Sequence, residues 1–354
     1  MAFFISEKDA RHEFRNKYEK KTKFRKLRDD NKRLFDENER IKLQLSAIQT
    51  QNTELKRSVD QTINFIRYFT LSERSIKPID DTPTQDYPQV YLSIVCIAKN
   101  EGPYLKEWIE YHKLIGVERF YFYDNGSTDN TKEILGPYTK NGIVVYKYIE
   151  GKGLQDKVYA DAAFRYSSQT RWMAVIDLDE FIVPKEKDDL REFLGKYENY
   201  PGLSINWVCF DSSGHDKKPT AHGGLVTANY TRVRKDYNHL MNREIKTIHD
   251  PASVTLISHH FAFYTNFGLA VDENFRWVDW GPYSREHSTK KIQVNHYMTK
   301  SREEFLAKVN RGRAFSYGKH DMGRHEINFS GETTEDLAIQ RYVPRLKAAM
   351  GIEN

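Results

Sequence analysis

Short apolar runs alternate with segments of helical spacing between residues 90 and 176, and this alternation constrains the fold more than any other feature. A helix between two strands returns the chain to the same edge of a sheet, which favours parallel pairing with helices on both faces. The sequence therefore predicts an α/β domain with a doubly wound, mostly parallel sheet. The predicted strands cover residues 90–97, 119–123, 143–148 and 172–176, and the predicted helices cover residues 103–114, 128–135, 154–166, 301–308 and 334–349.

Residues 1–71 contain neither glycine nor proline, and from residue 27 their apolar side chains recur at heptad spacing. Leu and Ile at position d with repeated Asn at position a are typical of a parallel two-stranded coiled coil, in which each buried Asn fixes the register and costs stability. We therefore predict a coiled coil that makes the protein a homodimer; one amphipathic helix folded back on the domain is the alternative. Position d holds Leu27, Leu34, Ile41, Ile48, Leu55 and Thr62, and position a holds Asn31, Asn38, Leu45, Asn52, Val59 and Ile66.

The first part of this segment is basic, with twelve Lys and Arg between positions 8 and 33. We interpret it as a solvated helix face, with peripheral contact at an anionic membrane as the alternative. The net charge of the whole chain is only +5, which does not indicate nucleic-acid binding. Because no apolar run suits a signal sequence or a spanning helix, we expect a cytoplasmic protein, with peripheral association at the inner face of the membrane as an option.

Residues 72–88 (SERSIKPIDDTPTQDYP) are polar, contain three prolines and are predicted to be a linker. The predicted organisation is a helical segment over residues 1–71, this linker, and one α/β domain over residues 89–354. Cys96 and Cys209 each lie in an apolar run, which predicts two buried thiols rather than a disulfide and favours a reducing compartment.

Polar side chains follow three of the predicted strands at the point where each strand ends. Asn100 and Glu101 follow the first strand, residues 124–129 (DNGSTD) follow the second, and residues 177–180 (DLDE) follow the fourth. In an open parallel sheet the carboxyl ends of the strands meet at one edge, and ligands bind there. Three such clusters predict a binding site at this edge.

Asp177 and Asp179 are two positions apart at a strand end, so their carboxylates project to the same side. Bare carboxylates would repel each other, and one of them would take up a proton. Mn²⁺ or Mg²⁺ removes this conflict, since these ions take oxygen ligands and commonly hold substrate phosphates as well. The Asp-Leu-Asp sequence therefore predicts a metal site; an Asp-rich surface turn is the alternative.

The loop DNGSTDNT at residues 124–131 joins a turn at Gly126 to a helix start that Thr128 or Asp129 can cap. It is interpreted as a capped turn, or as a loop in which Asp124 accepts hydrogen bonds from a nucleobase or ribose. The chain has no glycine-rich phosphate loop, neither G-x-G-x-x-G nor a Walker sequence. This disfavours dehydrogenases and P-loop kinases, and phosphate must be met by metal and cationic side chains.

Four segments together resemble glycosyltransferase family 92 and the related family-2-like bacterial enzymes, which have the GT-A fold. They are IAKNEGPYLKEWIEYHKLIGVERFYFYDNGSTDNT, WMAVIDLDEF, FDSSGHDKKP and NHYMTKSREEFLAKVNRGR, and the resemblance covers residues 90–318. The third segment has Asp211 where the family loop usually has Gly. The resemblance implies a GT-A domain that moves a sugar from a nucleoside diphosphate, most often UDP, to an acceptor hydroxyl with inversion.

The resemblance also implies roles for individual residues. Asp124 would read the base, and Asn100 and Glu101 would line its pocket. Asp177 would meet the ribose or the metal, directly or through water, and Asp179 would ligate Mn²⁺ or Mg²⁺.

A histidine near the carboxyl end often completes the metal site in this fold. His296, at the end of an apolar run, is our choice, with His259 and His260 as rivals. The basic residues around the helix predicted at 301–308 are expected to neutralise the leaving diphosphate or, alternatively, to form a solvated face. They are Lys300, Arg302, Arg311 and Arg313.

Inversion requires a carboxylate that takes the proton of the acceptor hydroxyl. Asp211 and Glu244 are the candidates, with Asp216 as a third, and the sequence does not choose among them. The expected acceptor is a glycan or lipid-linked glycan in surface polysaccharide synthesis. A nucleotidyltransferase acting on sugar phosphates and a catalytically inactive coiled-coil scaffold are the alternative functions.

Overall fold

The structure of the 354-residue chain is a computed structural model that describes residues 7–70, 75–237, 239–311 and 332–353. Helix α1 (Glu7–Thr70) is continuous over 64 residues, which confirms the helix predicted for the amino-terminal segment. Its pairing into a coiled coil stays a prediction. The chain divides into two compact units, Met1–Asn64 and Phe65–Asn354.

The second unit contains the strands and the remaining helices. Within the described residues the strands are β1 (Val90–Ala98), β2 (Arg119–Asn125), β3 (Val144–Ile149), β4 (Thr170–Val175), β5 (Glu180–Pro184), β6 (Gly202–Cys209), β7 (Arg232–Arg234), β8 (Ile245–His249), β9 (Val254–Ile257), β10 (Ala262–Tyr264), β11 (Ile292–His296) and β12 (Thr333–Glu335). The α-helices are α2 (Gly102–Leu114), α3 (Thr131–Lys140), α4 (Gln155–Tyr166), α5 (Leu190–Leu194), α6 (Val226–Asn229), α7 (Arg302–Arg311) and α8 (Val343–Met350).

Eight strands form one sheet in the order β3-β2-β1-β4-β8-β6-β11-β5. Strand β1 is parallel to β2 and β4, and β2 is parallel to β3. Strand β8 is antiparallel to both β4 and β6, and β11 is parallel to β6 and antiparallel to β5. The carboxyl ends of β1, β2, β3, β4, β6 and β11 therefore lie at one edge, called the carboxyl edge below, where β8 and β5 begin. The predicted α/β class with a mostly parallel sheet is confirmed.

The central strand β1 is buried on both faces because helices cover both sides of the sheet. Ile94 belongs to the apolar cluster that contains Trp108 of α2, whereas the next residue, Val95, belongs to the cluster that contains Tyr159 of α4. Trp108 is fully buried, and its indole N–H donates to the carbonyl oxygen of Glu180 at 2.8 Å. Helix α2 is thereby fixed to the first residue of β5, at the carboxyl edge.

The prediction of one helix over residues 334–349 is wrong in its first half. Residues Thr333–Glu335 form β12, Ala338–Tyr342 form a 3₁₀ turn, and α8 begins only at Val343. Pro344 lies in the first turn of α8, where a backbone N–H has no partner within the helix, so the missing N–H of proline costs nothing. In the interior of a longer helix the same proline would remove a hydrogen bond and clash with the preceding turn.

Part of the segment predicted as a linker is bound to the domain. The Arg165 guanidinium donates to the carbonyl oxygen of Asp80 at 2.6 Å and to that of Thr82. The Asp161 carboxylate accepts from the Ile79 N–H at 2.7 Å and from Arg165 Nε at 2.6 Å. The side chains of Asp161 and Arg165 are 0% and 4% exposed, so this buried ion pair, called the α4 clamp below, fixes residues 79–82.

Cys96 and Cys209 are buried free thiols, as predicted.

Across the described ranges, no helix combines the length and the apolar character that a membrane span requires. The predicted cytoplasmic location stays a prediction.

Replacing Arg165 with Met should loosen residues 79–82 and leave the buried Asp161 carboxylate with the Lys147 ammonium, 3.4 Å from its Oδ2, as its counter-charge. We expect the free energy of unfolding to fall by about 3 kcal/mol, because removing the closer partner of a buried ion pair leaves the other charge poorly compensated. Urea denaturation measures this loss, and hydrogen–deuterium exchange of residues 76–84 should accelerate at the same time.

The matched control is Lys132→Met, which removes an exposed cation from α3. It should change the free energy of unfolding by less than about 0.5 kcal/mol. Unchanged exchange over residues 76–84 in Arg165→Met would contradict the α4 clamp.

Candidate active site

The turn between β4 and β5 places Asp177, Asp179 and Glu180 at the carboxyl edge, where the sequence predicted them. The Glu180 N–H donates to the carbonyl oxygen of Asp177 at 3.1 Å, and the Asp177 N–H donates to Glu180 Oε2 at 3.0 Å. These two hydrogen bonds close the turn. The backbone positions of all three acidic residues are thereby fixed.

Lys246, on β8, lies between two carboxylates of this turn. Its ammonium donates to Asp177 Oδ2 at 2.8 Å and is 3.4 Å from Glu180 Oε2, although the side chain is only 1% exposed. Burial alone would lower the pKa of Lys246, but the two carboxylates raise it above its ordinary value. Burial likewise works to raise the pKa of Asp177, but Lys246 holds it below its ordinary value. Both groups are therefore charged.

Glu180 is fully buried, and its Oε1 atom has no hydrogen-bond partner among the residues that the structure describes. Burial raises the pKa of Glu180 well above its ordinary value in spite of the neighbouring Lys246. One ammonium is thus shared by two carboxyl groups, those of Asp177 and Glu180. Gln155 Nε2 at 2.8 Å and the Tyr159 hydroxyl at 3.2 Å donate to Asp177 Oδ1 and orient it further.

Asp179 has its own ammonium and an imidazole beside it. Lys308 of α7 donates to Asp179 Oδ2 and, at 3.1 Å, to the carbonyl oxygen of Met298. His296 Nε2, at the end of β11, lies 3.7 Å from Asp179 Oδ1. Burial works to raise the pKa of Asp179, but Lys308 and His296 hold it well below its ordinary value, so the carboxylate is ionised.

The donor set at Asp179 suits a divalent cation in part. Burial lowers the pKa of His296, so its ring is neutral and can act as a ligand beside the carboxylate. Asp177 is less available because both of its oxygens already accept hydrogen bonds. Within the described ranges, no group of three or more His, Cys, Asp or Glu side chains is arranged as a complete metal site. Metal binding by Asp177, Asp179 and His296 therefore stays a prediction.

The loops that follow β1 and β2 are joined by hydrogen bonds into one rim. Asn100 has a φ of 52°; its side-chain oxygen accepts from the Thr128 N–H at 2.7 Å, and its own N–H donates to Ser127 Oγ at 2.9 Å. Asp129 Oδ2 accepts from the Gly102 N–H at 2.9 Å. A Cβ at position 102 would lie 2.4 Å from Asn130 Oδ1 and 2.9 Å from that same oxygen, so a larger residue would have to displace these two side chains.

Asp124 lies beneath this rim and is only 2% exposed. Its Oδ1 accepts from the Ser127 N–H at 2.8 Å and its Oδ2 accepts from the Tyr146 hydroxyl at 2.7 Å. These contacts are those of a capped turn, although each oxygen retains a second lone pair for a ligand. Direct recognition of a base by Asp124 stays a prediction.

Lys300 approaches the site from the turn before α7 with a φ of 53°, a strained conformation for a residue other than glycine. Its ammonium lies 4.2 Å from the centroid of the Tyr104 ring. Burial lowers the pKa of Lys300, while Glu101 and then Asp179 oppose the change, so both acids act on it electrostatically.

The remaining basic candidates lie on or beyond α7. Arg302 is exposed at its first turn. Arg311 is its last residue, and the Arg311 side chain is outside what the structure describes. Arg313 lies outside the described residues altogether.

The two rival histidines have other partners. His259 Nδ1 is 3.1 Å from Asp156 Oδ1, and His260 Nδ1 hydrogen-bonds to the carbonyl oxygen of Ile245 at 2.8 Å. His296 is the histidine that lies beside Asp179, which favours it over the rivals as a ligand.

The three candidate bases differ in their surroundings. Glu244 precedes β8, and its Oε2 is 3.5 Å from His260 Nε2. Asp211 follows β6 and is buried; its Oδ1 accepts from the Ser213 N–H at 2.6 Å, and burial raises its pKa. Asp216 is exposed in the following loop.

Two lysines that neutralise the acidic turn, Lys246 and Lys308, were not among the predicted site residues. Lys246 interrupts the buried strand IKTIH, and a lone charge in such a run requires a partner, so this signal was present. Lys308 is one cation among several on a polar helix, and nothing in the sequence distinguishes it. The expected agent of neutralisation was a metal, whereas the structure supplies two ammonium groups.

The profile of glycosyltransferase family 92 matches residues 92–335, which is most of the chain. The chain belongs to glycosyltransferase family 92. The family predicted from the four motifs is confirmed, and with it a glycosyltransferase domain.

The family 92 domain is similar to plant relatives. A family 92 protein of Oryza sativa subsp. japonica is 27% identical over 234 residues, covering 64% of this chain and 36% of that protein. Galactan beta-1,4-galactosyltransferase GALS2 of Arabidopsis thaliana is 29% identical over 126 residues, covering 31% of this chain and 24% of that enzyme. The chain spans about a third of the length of the family 92 relatives it matches.

Among solved structures, S. aureus TarS 1-349 in complex with UDP-GlcNAc is similar at 17% identity and a TM-score of 0.29. The match covers 36% of this chain and 38% of that one.

Replacing Lys246 with Met should destabilise the family 92 domain by about 3–5 kcal/mol, because Asp177 and Glu180 then lose their shared cation. Glu180→Gln should cost less than about 1.5 kcal/mol, since Gln has the same shape and needs no cation beside it. In the double variant the uncharged Gln should recover part of the Lys246→Met loss. Urea denaturation of the four proteins measures this coupling.

Lys196→Met is the control, because it removes an exposed lysine that pairs with Glu186 at 2.8 Å away from the carboxyl edge. It should cost less than about 1 kcal/mol. Strictly additive losses in the double variant would contradict a shared ammonium.

Proposed function

We propose that this chain transfers a sugar from a nucleoside diphosphate, most plausibly UDP, to a hydroxyl of a glycan or lipid-linked glycan, with inversion and with the help of Mn²⁺ or Mg²⁺. The observation that carries the proposal is the acidic turn of a family 92 domain, where Asp177 and Asp179 are held ionised at the carboxyl edge. Surface polysaccharide synthesis is the proposed setting.

Asp179 and His296 would hold the metal, because they bring an ionised carboxylate and a neutral imidazole to within 3.7 Å of each other. A divalent cation supplies Lewis-acid stabilisation of the charge that develops on a leaving diphosphate. Asp177, oriented by Lys246, would complete the site from the ribose side or through water. Lys300 and Arg302 would face the diphosphate, as would Arg311 and Arg313.

The rim formed by the β1 and β2 loops would receive the nucleoside. Asn100 and Glu101 would line the pocket, and Asp124 would act through the loop that it caps, with its remaining lone pairs available to the base. The rigidity of this rim favours one orientation of the donor before reaction.

Glu244 is our choice for the base that accepts the proton of the acceptor hydroxyl. Glu244 directly precedes β8, the strand that begins at the carboxyl edge and carries Lys246. His260 beside Glu244 provides a further polar partner. Asp211 is the second choice, because one of its oxygens already caps the Ser213 turn.

We also propose that α1 pairs with a second copy of itself. Its seam side chains are exposed along the helix, Leu34 by 59% and Ile41 by 46%, which leaves an apolar stripe in water for a single chain. A parallel coil with Asn at position a would bury this stripe. A membrane-bound role for the basic residues is not needed for this pairing.

Nucleoside diphosphate release from a panel of nucleotide sugars tests the activity. We expect release with one UDP sugar and Mn²⁺, loss of release with EDTA, and a fall of about 100-fold or more in Asp179→Asn, on the order of a lost transition-state contact. Glu244→Gln should lower kcat by about 100-fold or more while donor binding persists, as the loss of a general base does.

Asp188→Asn is the matched control, since Asp188 is exposed and pairs with Arg341 after β5, at the other end of that strand. It should retain activity. If no nucleotide sugar is turned over and none binds in calorimetry, the proposed activity is refuted. A catalytically inactive coiled-coil scaffold is then the remaining proposal.

Light scattering after size exclusion tests the pairing of α1. The wild type should be a dimer, and Leu34→Glu combined with Ile41→Glu should be a monomer, because the seam would then bury like charges. Leu43→Glu places the same charge on an equally helical but off-seam position, 73% exposed, and should stay dimeric. A monomeric wild type would rule out the pairing.

A further inference from the structure

In the proposed metal site, the Lys308 ammonium and a divalent cation would compete for the Asp179 carboxylate. One of its oxygens faces His296 Nε2 at 3.7 Å, while the other accepts from the Lys308 ammonium. The carboxylate is only 8% exposed, so solvent offers it little stabilisation and it requires a counter-charge at all times. Lys308 meets that requirement from within the chain.

Lys308 is well placed to hold and to release Asp179. Among the described residues its ammonium donates to two acceptors, the Asp179 carboxylate and the Met298 carbonyl oxygen at 3.1 Å, and its side chain is 17% exposed. The flexible lysine stem can therefore carry the ammonium away from Asp179 into solvent or towards an anion. Lys246 differs in this respect, since it is 1% exposed and is shared by two carboxyl groups.

We propose that Lys308 is a resident counter-ion that a divalent cation must displace from Asp179. The inference rests on the proposed function and adds a role for one residue to it. An ammonium and a divalent cation repel each other, so the Lys308 ammonium on Oδ2 opposes the binding of a metal ion at Oδ1 of the same carboxylate. Displacement weakens the intrinsic affinity of the site for metal and directs the released Lys308 ammonium towards the diphosphate of the donor. Lys308 is thus a positioning residue before donor binding and a diphosphate contact after it.

Titration with Mn²⁺ alone, followed by the electron paramagnetic resonance signal of the free ion, tests this proposal on the full chain. Lys308→Met should bind Mn²⁺ at least about tenfold more tightly than the wild type, because nothing then competes for Asp179. Lys308→Arg keeps the positive charge and should bind within about threefold of the wild type. Lys196→Met, which removes a lysine from an exposed ion pair, should match the wild type. Circular dichroism and urea denaturation establish that each variant is folded.

The outcomes separate the two proposals. Equal or weaker Mn²⁺ binding by Lys308→Met, with binding that Asp179→Asn abolishes, overturns the counter-ion role and leaves the metal site intact. Absence of Mn²⁺ binding in every variant overturns the metal site and the counter-ion role together, while nucleoside diphosphate release in EDTA would still support sugar transfer. Tighter binding in Lys308→Met, combined with slower release of nucleoside diphosphate, supports both functions of Lys308.

Discussion

Compensation of buried negative charge is the constraint on which the carboxyl edge depends. The β4–β5 turn brings together three carboxyl groups, of which Glu180 and Asp179 are buried and Asp177 is partly exposed, and an unpaired buried ion there would cost several kcal/mol. Two lysines meet this cost: Lys246 donates to Asp177 and lies 3.4 Å from Glu180, and Lys308 donates to Asp179. The result is two ionised carboxylates whose positions are set by the protein before any ligand arrives.

The sheet determines where these charges can meet. Parallel strands deliver the ends of β1, β2 and β4 to one edge, and the antiparallel β8 begins at that edge and brings Lys246 to it. Trp108 then ties α2 to Glu180, so the packing of a helix on one face of the sheet supports the acidic turn directly. A change in the core at Trp108 would therefore be transmitted to the site without altering any polar residue.

The sequence predicted what depends on local pattern. The alternation of apolar runs fixed the class of the sheet, and turn residues after strands located the acidic turn and the rim, because parallel strand ends must coincide. It did not predict which cation lies beside each acid, since Lys246 and Lys308 reach Asp177 and Asp179 from elements distant in the chain. The single helix expected over residues 334–349 is wrong because Pro344 suits the first turn of a helix and not its interior. The hydrogen bond from the Tyr146 hydroxyl to Asp124 was likewise not predicted, because it depends on the register between β2 and β3.

The α4 clamp changes where the folded unit begins. Residues 79–82 precede β1, yet they satisfy the buried Asp161–Arg165 pair from outside the sheet. An expression fragment cut at residue 89, where the apolar pattern starts, would discard these partners and expose two buried ionic groups to water. Fragment design for crystallography or screening should therefore retain the polar, proline-containing stretch from residue 76, which composition alone would mark as dispensable.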